Sequence, residues 1–169
     1  MSDPTAATAE LVFTRVFEAP RELVFQCMTQ PEHLTHFWGP AGTSAPIEHI
    51  RVDARPGGAF ETVMINDADG SRYPTQAVYD EVVEPERLVW TEAHSGMTVT
   101  VTFADLDGSR TGVEIHQVRV PEPVRSPEAQ AGFLTSLDRF AGYLATRTGR
   151  SGAGAPGIGR RAAGPAERR

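Results

Sequence analysis

Lysine is absent from this chain: all 16 basic residues are arginine. Six of them, Arg147, Arg150, Arg160, Arg161, Arg168 and Arg169, follow Thr146 with only Glu167 opposing them. The part before them is therefore strongly acidic, which excludes the clustered basic face that nucleic-acid phosphates require. Cysteine is scarce too. With Cys27 alone, neither an internal disulfide nor a cysteine-built metal site can form, and its helical spacing with Leu23 and Val24 makes it a small core hydrophobe. No run of about 18 apolar residues occurs, and MSDPTAATAE lacks a charged segment followed by an apolar one. The expectation is a cytoplasmic protein with no membrane span and no secretory signal.

What remains is enough for one ordinary domain: 169 residues, 40% of them apolar. The reading divides the chain into a flexible N-terminus at 1–9, a domain at 10–146 and a tail at 147–169. The tail's Gly-Ala-Pro-Arg composition cannot bury enough apolar area to fold.

Within the domain, Leu11 to Phe17 alternates as a strand does. Ala19-Pro20 then predicts a helix with proline in its first turn, Leu23, Val24, Cys27 and Met28 sharing one face. Gln30-Pro31 repeats the device for a second short helix, with Leu34, Phe37 and Trp38 on its inner side and Gly39-Pro40 ending it. From Ile47 the period changes to two. Turn signals at Arg55 to Gly58, Asp67 to Gly70, Glu84 to Glu86, His94 to Gly96 and Asp107 to Ser109 cut this stretch into about six strands. Met97 to Phe103 alternates apolar residues with threonine, so one face packs inward, and Val113, Ile115 and Gln117 repeat that logic next door. After a Pro-rich connector, Ser126 caps a last helix with Pro127 at its first position. Phe133, Leu137, Phe140 and Leu144 form one stripe on it, facing the sheet.

Candidate metal and phosphate motifs are weak. His33 and His36 have a shared-face spacing, but no third ligand lies near, and His49, His94 and His116 are scattered. Asp67-Ala68-Asp69-Gly70 and Asp105-Leu106-Asp107-Gly108 lack the remaining acids of a calcium loop and read as turns. Arg55-Pro56-Gly57-Gly58 precedes a strand, so it offers no helix N-terminus to a phosphate. No metal, cofactor or catalytic residue is assigned.

Several strings together carry a resemblance: Phe17-Glu18-Ala19-Pro20-Arg21-Glu22-Leu23-Val24-Phe25, Thr29-Gln30-Pro31-Glu32-His33-Leu34, Phe37-Trp38-Gly39-Pro40, Asp53-Ala54-Arg55-Pro56-Gly57-Gly58, Val82-Val83-Glu84-Pro85-Glu86-Arg87-Leu88 and Trp90-Thr91. In this order they resemble the bacterial branch of the activator of heat-shock-protein-90 ATPase homologue family, in the START/Bet v 1-like SRPBCC superfamily. The resemblance spans about Glu10 to Thr146. It implies an α+β helix-grip fold: a strand, two short helices, six antiparallel strands and a long C-terminal helix, with a hydrophobic cavity between helix and sheet. Phe37-Trp38 stands where the family often has two tryptophans, and Gly132-Phe133 where it has Gly-Trp; both keep an aromatic wall. No second, N-terminal co-chaperone domain is expected, which weakens the chaperone-activating role that the family name implies.

On that fold the expected cavity wall is Phe37, Trp38, Phe60, Met64, Trp90, Met97, Val99, Val101, Phe133 and Leu137, a set of aromatic, methionine and aliphatic side chains suited to an apolar ligand. Core packing alone would look the same in sequence. Glu92 shares parity with Leu88 and Trp90, and Gln117 with Val113 and Ile115, so each either anchors a ligand's polar end or meets solvent at a strand end. Three functions follow. The first is a non-enzymatic binder of a small hydrophobic molecule. The second is an enzyme like the superfamily's polyketide cyclases and aromatases, with Glu92 or Tyr79 moving a proton. The third is a chaperone-linked interaction module. Exposed strands and an apolar rim are compatible with a homodimer.

Overall fold

The computed structural model describes residues 9–149. The N-terminus and tail expected at 1–9 and 147–169 thus fall mostly outside the described residues. Within them the order is β1 (Glu10–Phe17), α1 (Arg21–Thr29), α2 (Pro31–Leu34), β2 (Thr43–Ser44), a 3-10 turn at Ile47–His49, β3 (Arg51–Val52), β4 (Ala59–Asn66), β5 (Arg72–Val83), β6 (Arg87–Glu92), β7 (Thr98–Asp105), β8 (Thr111–Val118), a 3-10 turn at Glu122–Arg125 and α3 (Pro127–Thr148). All strand pairs are antiparallel and run β1-β8-β7-β6-β5-β4-β2, with β3 also on β4. This is the helix-grip arrangement. Six strands follow Ile47, as the period-two pattern predicts, and β2 is a further short one before it.

Local boundaries differ from expectation where backbone bonding overrides pattern. Pro20 is extended and sits one residue before α1, its carbonyl accepting from the amides of Leu23 and Val24. The α-helix of α2 ends at Leu34, so Phe37 and Trp38 lie in the turn after it, where both amides bond to the Leu34 carbonyl. Gly39 then takes a φ of +100°, and a Cβ there would lie 2.6 Å from Thr43 Oγ1. Only glycine serves this corner. At the other end of the chain, Arg147 and Thr148 belong to α3, which Gly149 terminates in the left-handed conformation. Ser126 caps its start, accepting from the Ala129 amide at 3.0 Å.

The sheet turns one face to the helices. Val99, Val101 and Phe103 of β7 are buried, as are Val113, Ile115 and Gln117 of β8, and Thr98 to Thr102 alternate with them. β5 keeps Tyr79 and Val82 on this same face although they are three apart, because the register slips between Tyr79 and Glu81. Asp80 is the extra residue of that bulge. Further along β5, Pro74 pairs with Val63. The Tyr79 amide points at the Gly58 carbonyl, on the β4 side, so by period two the Pro74 nitrogen faces away from β4, beyond the point where β6 stops pairing at Ala77.

The dense part of the core lies under the C-terminal half of α3. Phe140 stacks on Phe37 with ring centroids 4.1 Å apart and tilts against Phe17 at 4.8 Å. Leu144, Leu34, Val24 and Cys27 close this region, all fully buried. Tyr143 ties α2 and the turn after it to α3: its hydroxyl lies 2.6 Å from His33 Nδ1, and its ring stacks on His36. Burial pushes the His33 imidazole below its ordinary pKa, helped by the nearby Arg147.

Phe140, 4% exposed, and Phe133, half-buried, test this asymmetry. In chemical denaturation Phe140→Ala is expected to lose about 3–5 kcal/mol. Phe133→Ala should lose clearly less, because its ring borders space that is already empty. Equal losses would contradict a core concentrated at one end of the helix.

Candidate functional site

The N-terminal half of α3 stands over a cavity of about 430 Å³. The reason lies in its side chains. Ala129, Gly132 and Ser136 face the cavity from positions three and four apart, between the larger Phe133 and Leu137. Small residues there leave the space that Phe140 fills one turn further on.

The opposite wall is the inner face of the sheet. Leu11 and Phe13 of β1, Ile115 and Gln117 of β8, Val99 and Val101 of β7, and Trp90 and Glu92 of β6 contribute in register. Gln117 pairs with both Leu11 and Val99, and Val99 with Trp90, so these four side chains form one row across four strands. Phe60, Thr62 and Met64 of β4 and Thr75 of β5 continue the wall, and Met97, just before β7, closes the next row beside Glu92, whose amide bonds to the Met97 carbonyl. Phe60 makes edge contacts with Trp38 and Trp90, at 5.4 and 4.9 Å. Phe13 meets Phe133 at 4.5 Å.

The rim is tied down by polar contacts. Arg139 on α3 donates to the carbonyls of Gly39 and Pro40 at 2.8 and 3.1 Å, and Thr135 Oγ1 accepts from the Ala41 amide at 3.0 Å. The corner after Trp38 is thereby held against the helix.

Each wall residue expected from sequence lines the cavity, and so do Glu92 and Gln117. Gln117 is 6% exposed, and its Oε1 has no hydrogen-bond partner among the described residues. Glu92 is half-buried rather than at a solvated strand end. Burial raises its carboxyl above the ordinary range, and the hydroxyl of Ser95, donating at 3.1 Å, partly counters that. Tyr79 does not line the cavity: its ring packs against Phe60 and Trp90, and its buried hydroxyl lacks a partner among the described residues. His33 and His36 serve Tyr143, and no group of three or more His, Cys, Asp or Glu side chains among the described residues is placed to hold a metal ion. Leu11, Phe13, Ser136 and Gly132 were not singled out from sequence. The helical spacing that reveals Phe133 and Leu137 also marks Gly132 and Ser136, as small residues on the same side.

A curved antiparallel sheet gripping a long terminal helix over an apolar hollow defines a START/Bet v 1-like helix-grip domain. More narrowly, the chain belongs to the Activator of Hsp90 ATPase homolog 1-like protein family, whose model matches residues 18–145. Among solved structures it is similar to a protein of Chromobacterium violaceum, at 27% identity and a TM-score of 0.72, covering 78% of this chain and 94% of that one. A Nitrosomonas europaea protein is similar at 26% identity and a TM-score of 0.70, covering 83% and 96%. An AHSA1-like protein from Aeromonas hydrophila shares the fold at 23% identity and a TM-score of 0.70, covering 82% and 94%. No curated protein matches the chain significantly. No described helix is long and apolar enough to cross a membrane.

A raised carboxyl pKa means that the folded state holds the Glu92 proton more tightly than the unfolded chain does. Stability therefore falls as pH rises from the unfolded value near 4.5 through the raised one. Glu92→Gln is expected to melt higher than the parent protein at pH 7, with the gain vanishing below the unfolded value near pH 4.5. Thermal melts across pH check this; a constant difference at all pH values would contradict it.

Proposed function

We propose that this protein binds a small hydrophobic molecule in the cavity between α3 and the sheet, and does so without catalysing a reaction on it. The observation that carries this reading is an interior space of about 430 Å³ walled by aromatic, methionine and aliphatic side chains, a size and lining typical of small-molecule sites. Trp38, Trp90, Met97 and Phe133 supply the apolar wall, and Gln117 and Glu92 the polar points that would orient a ligand. Met64 and Met97 can adapt their side chains to different shapes. A non-catalytic role is supported by the lining itself: no His or Cys among the described residues borders the cavity, so Ser136, Thr62 and Thr75 lack the imidazole partner that commonly activates a hydroxyl nucleophile.

One observation favours a second reading. Glu92 is a cavity carboxyl with a raised pKa, and such a group can give or take a proton at a bound substrate. An enzyme of the polyketide cyclase kind would lose turnover of an aromatic polyketide on Glu92→Gln. Full turnover by that variant removes the reading.

Binding is tested with a neutral apolar dye such as Nile red, followed by dye emission and by quenching of Trp38 and Trp90. Native mass spectrometry of the freshly purified protein reports any molecule carried through purification. Ser136→Phe places a ring in the cavity from α3 and is expected to weaken dye binding by at least tenfold, or ~1.4 kcal/mol, with the fold retained by circular dichroism. Failure of the parent protein to take up dye, or an unaffected variant, would count against the proposal.

A further inference from the structure

We infer, resting on the reading of the cavity as a small-molecule site, that its ligand is uncharged and carries a hydroxyl group that meets the Gln117 carboxamide. The first support is an unmet polar group. Gln117 is 94% buried, in the middle of a row whose other members, Leu11, Val99 and Trp90, are apolar, and its Oε1 has no partner among the described residues. A buried acceptor left without a donor costs free energy that an arriving donor recovers. A carboxamide offers both an acceptor oxygen and a donor nitrogen, and a hydroxyl, which both gives and accepts, satisfies it in either rotamer.

The second support is the charge of the lining. No Arg or His among the described residues borders the cavity, whereas Glu92 and Glu128 do. The rim guanidinium of Arg139 is turned to the carbonyls of Gly39 and Pro40. A carboxylate or sulfonate entering this space would lose its hydration with no cation to meet it and two acids nearby. The first turn of α3 does not supply the missing positive charge: Ser126 caps the Ala129 amide, and Glu128 sits in that turn. Long-chain acids and other anions are therefore the wrong class, and neutral alcohols, phenols or enols the right one.

Three probes on one scaffold separate these possibilities: naphthalene, 2-naphthol and 2-naphthoate, each titrated at pH 7.5 into the full chain by tryptophan quenching and calorimetry. The naphthol is expected to bind roughly tenfold more tightly than naphthalene, the worth of a hydrogen bond to a buried partner, and the naphthoate more weakly than either. Gln117→Leu removes an unmet polar group without adding bulk, and Gln117→Met serves as a second variant; both should bring the naphthol-to-naphthalene ratio close to one. A naphthoate that binds best, or a naphthol preference that survives both variants, overturns the inference while leaving the cavity reading in place. No binding by any of the three overturns the cavity reading itself, and the inference with it.

Discussion

Helix α3 is packed hard at its C-terminal end and stands over a cavity at the other, and most of what sets this molecule apart follows from that. Phe17, Phe37 and Phe140 form a ring cluster whose centroids lie within 4.8 Å along each contact to Phe140. Rings in such contact fix the height of the helix above the sheet, since interiors of this kind resist compression. A helix is stiff over its 22 residues, so the turns carrying Ala129, Gly132 and Ser136 are held at the same height with far less side chain to fill the gap. Cavity and core are then two consequences of one helix. The contacts of Arg139 and Thr135 with the corner at Gly39 to Ala41 act from the middle of the helix, between core and cavity, and hold that corner against it.

Much of the fold was legible because its patterns are strict. Thr98 to Phe103 alternates without a fault, so the inward side of β7 follows from parity, and the four-three-four stripe of α3 is equally plain. The wall of the cavity was legible for the same reason, since parity tells which side chains point in. Parity does not tell whether they touch one another. The empty space depends on residues that are small rather than apolar, and Gly132 and Ser136 carry no hydrophobic signal. β5 was harder: the bulge at Asp80 breaks parity between Tyr79 and Val82, and nothing in that local sequence announces it. The early end of α2 escaped for a related reason, because the spacing of Leu34, Phe37 and Trp38 fits a turn with repeated bonds to one carbonyl as well as it fits a helix. The His33 contact with Tyr143 joins residues 110 apart in sequence, beyond any pattern of spacing.

Charge is handled by exclusion. Arg15 pairs with Asp138, Arg87 with Glu81 and Arg110 with Asp107, all on surfaces open to water. Such pairs contribute little to stability. No arginine among the described residues lines the cavity, where the half-buried Glu92 and the buried Gln117 are the main polar features of the strands β6 and β8. The interior is thus apolar with a few uncompensated oxygens, a chemistry quite unlike that of the acidic exterior.

Pro74 bears on how the sheet behaves among its own kind. Beyond Gln76, whose carbonyl accepts from the Ala93 amide, the flank of β5 turned away from β4 has no neighbour from β6, and an extended flank of that sort ordinarily invites strands from other molecules. A proline nitrogen there offers nothing to an incoming carbonyl, so that margin is chemically blunted against edge-to-edge aggregation. The residue least suited to a strand is tolerated where its defect is protective.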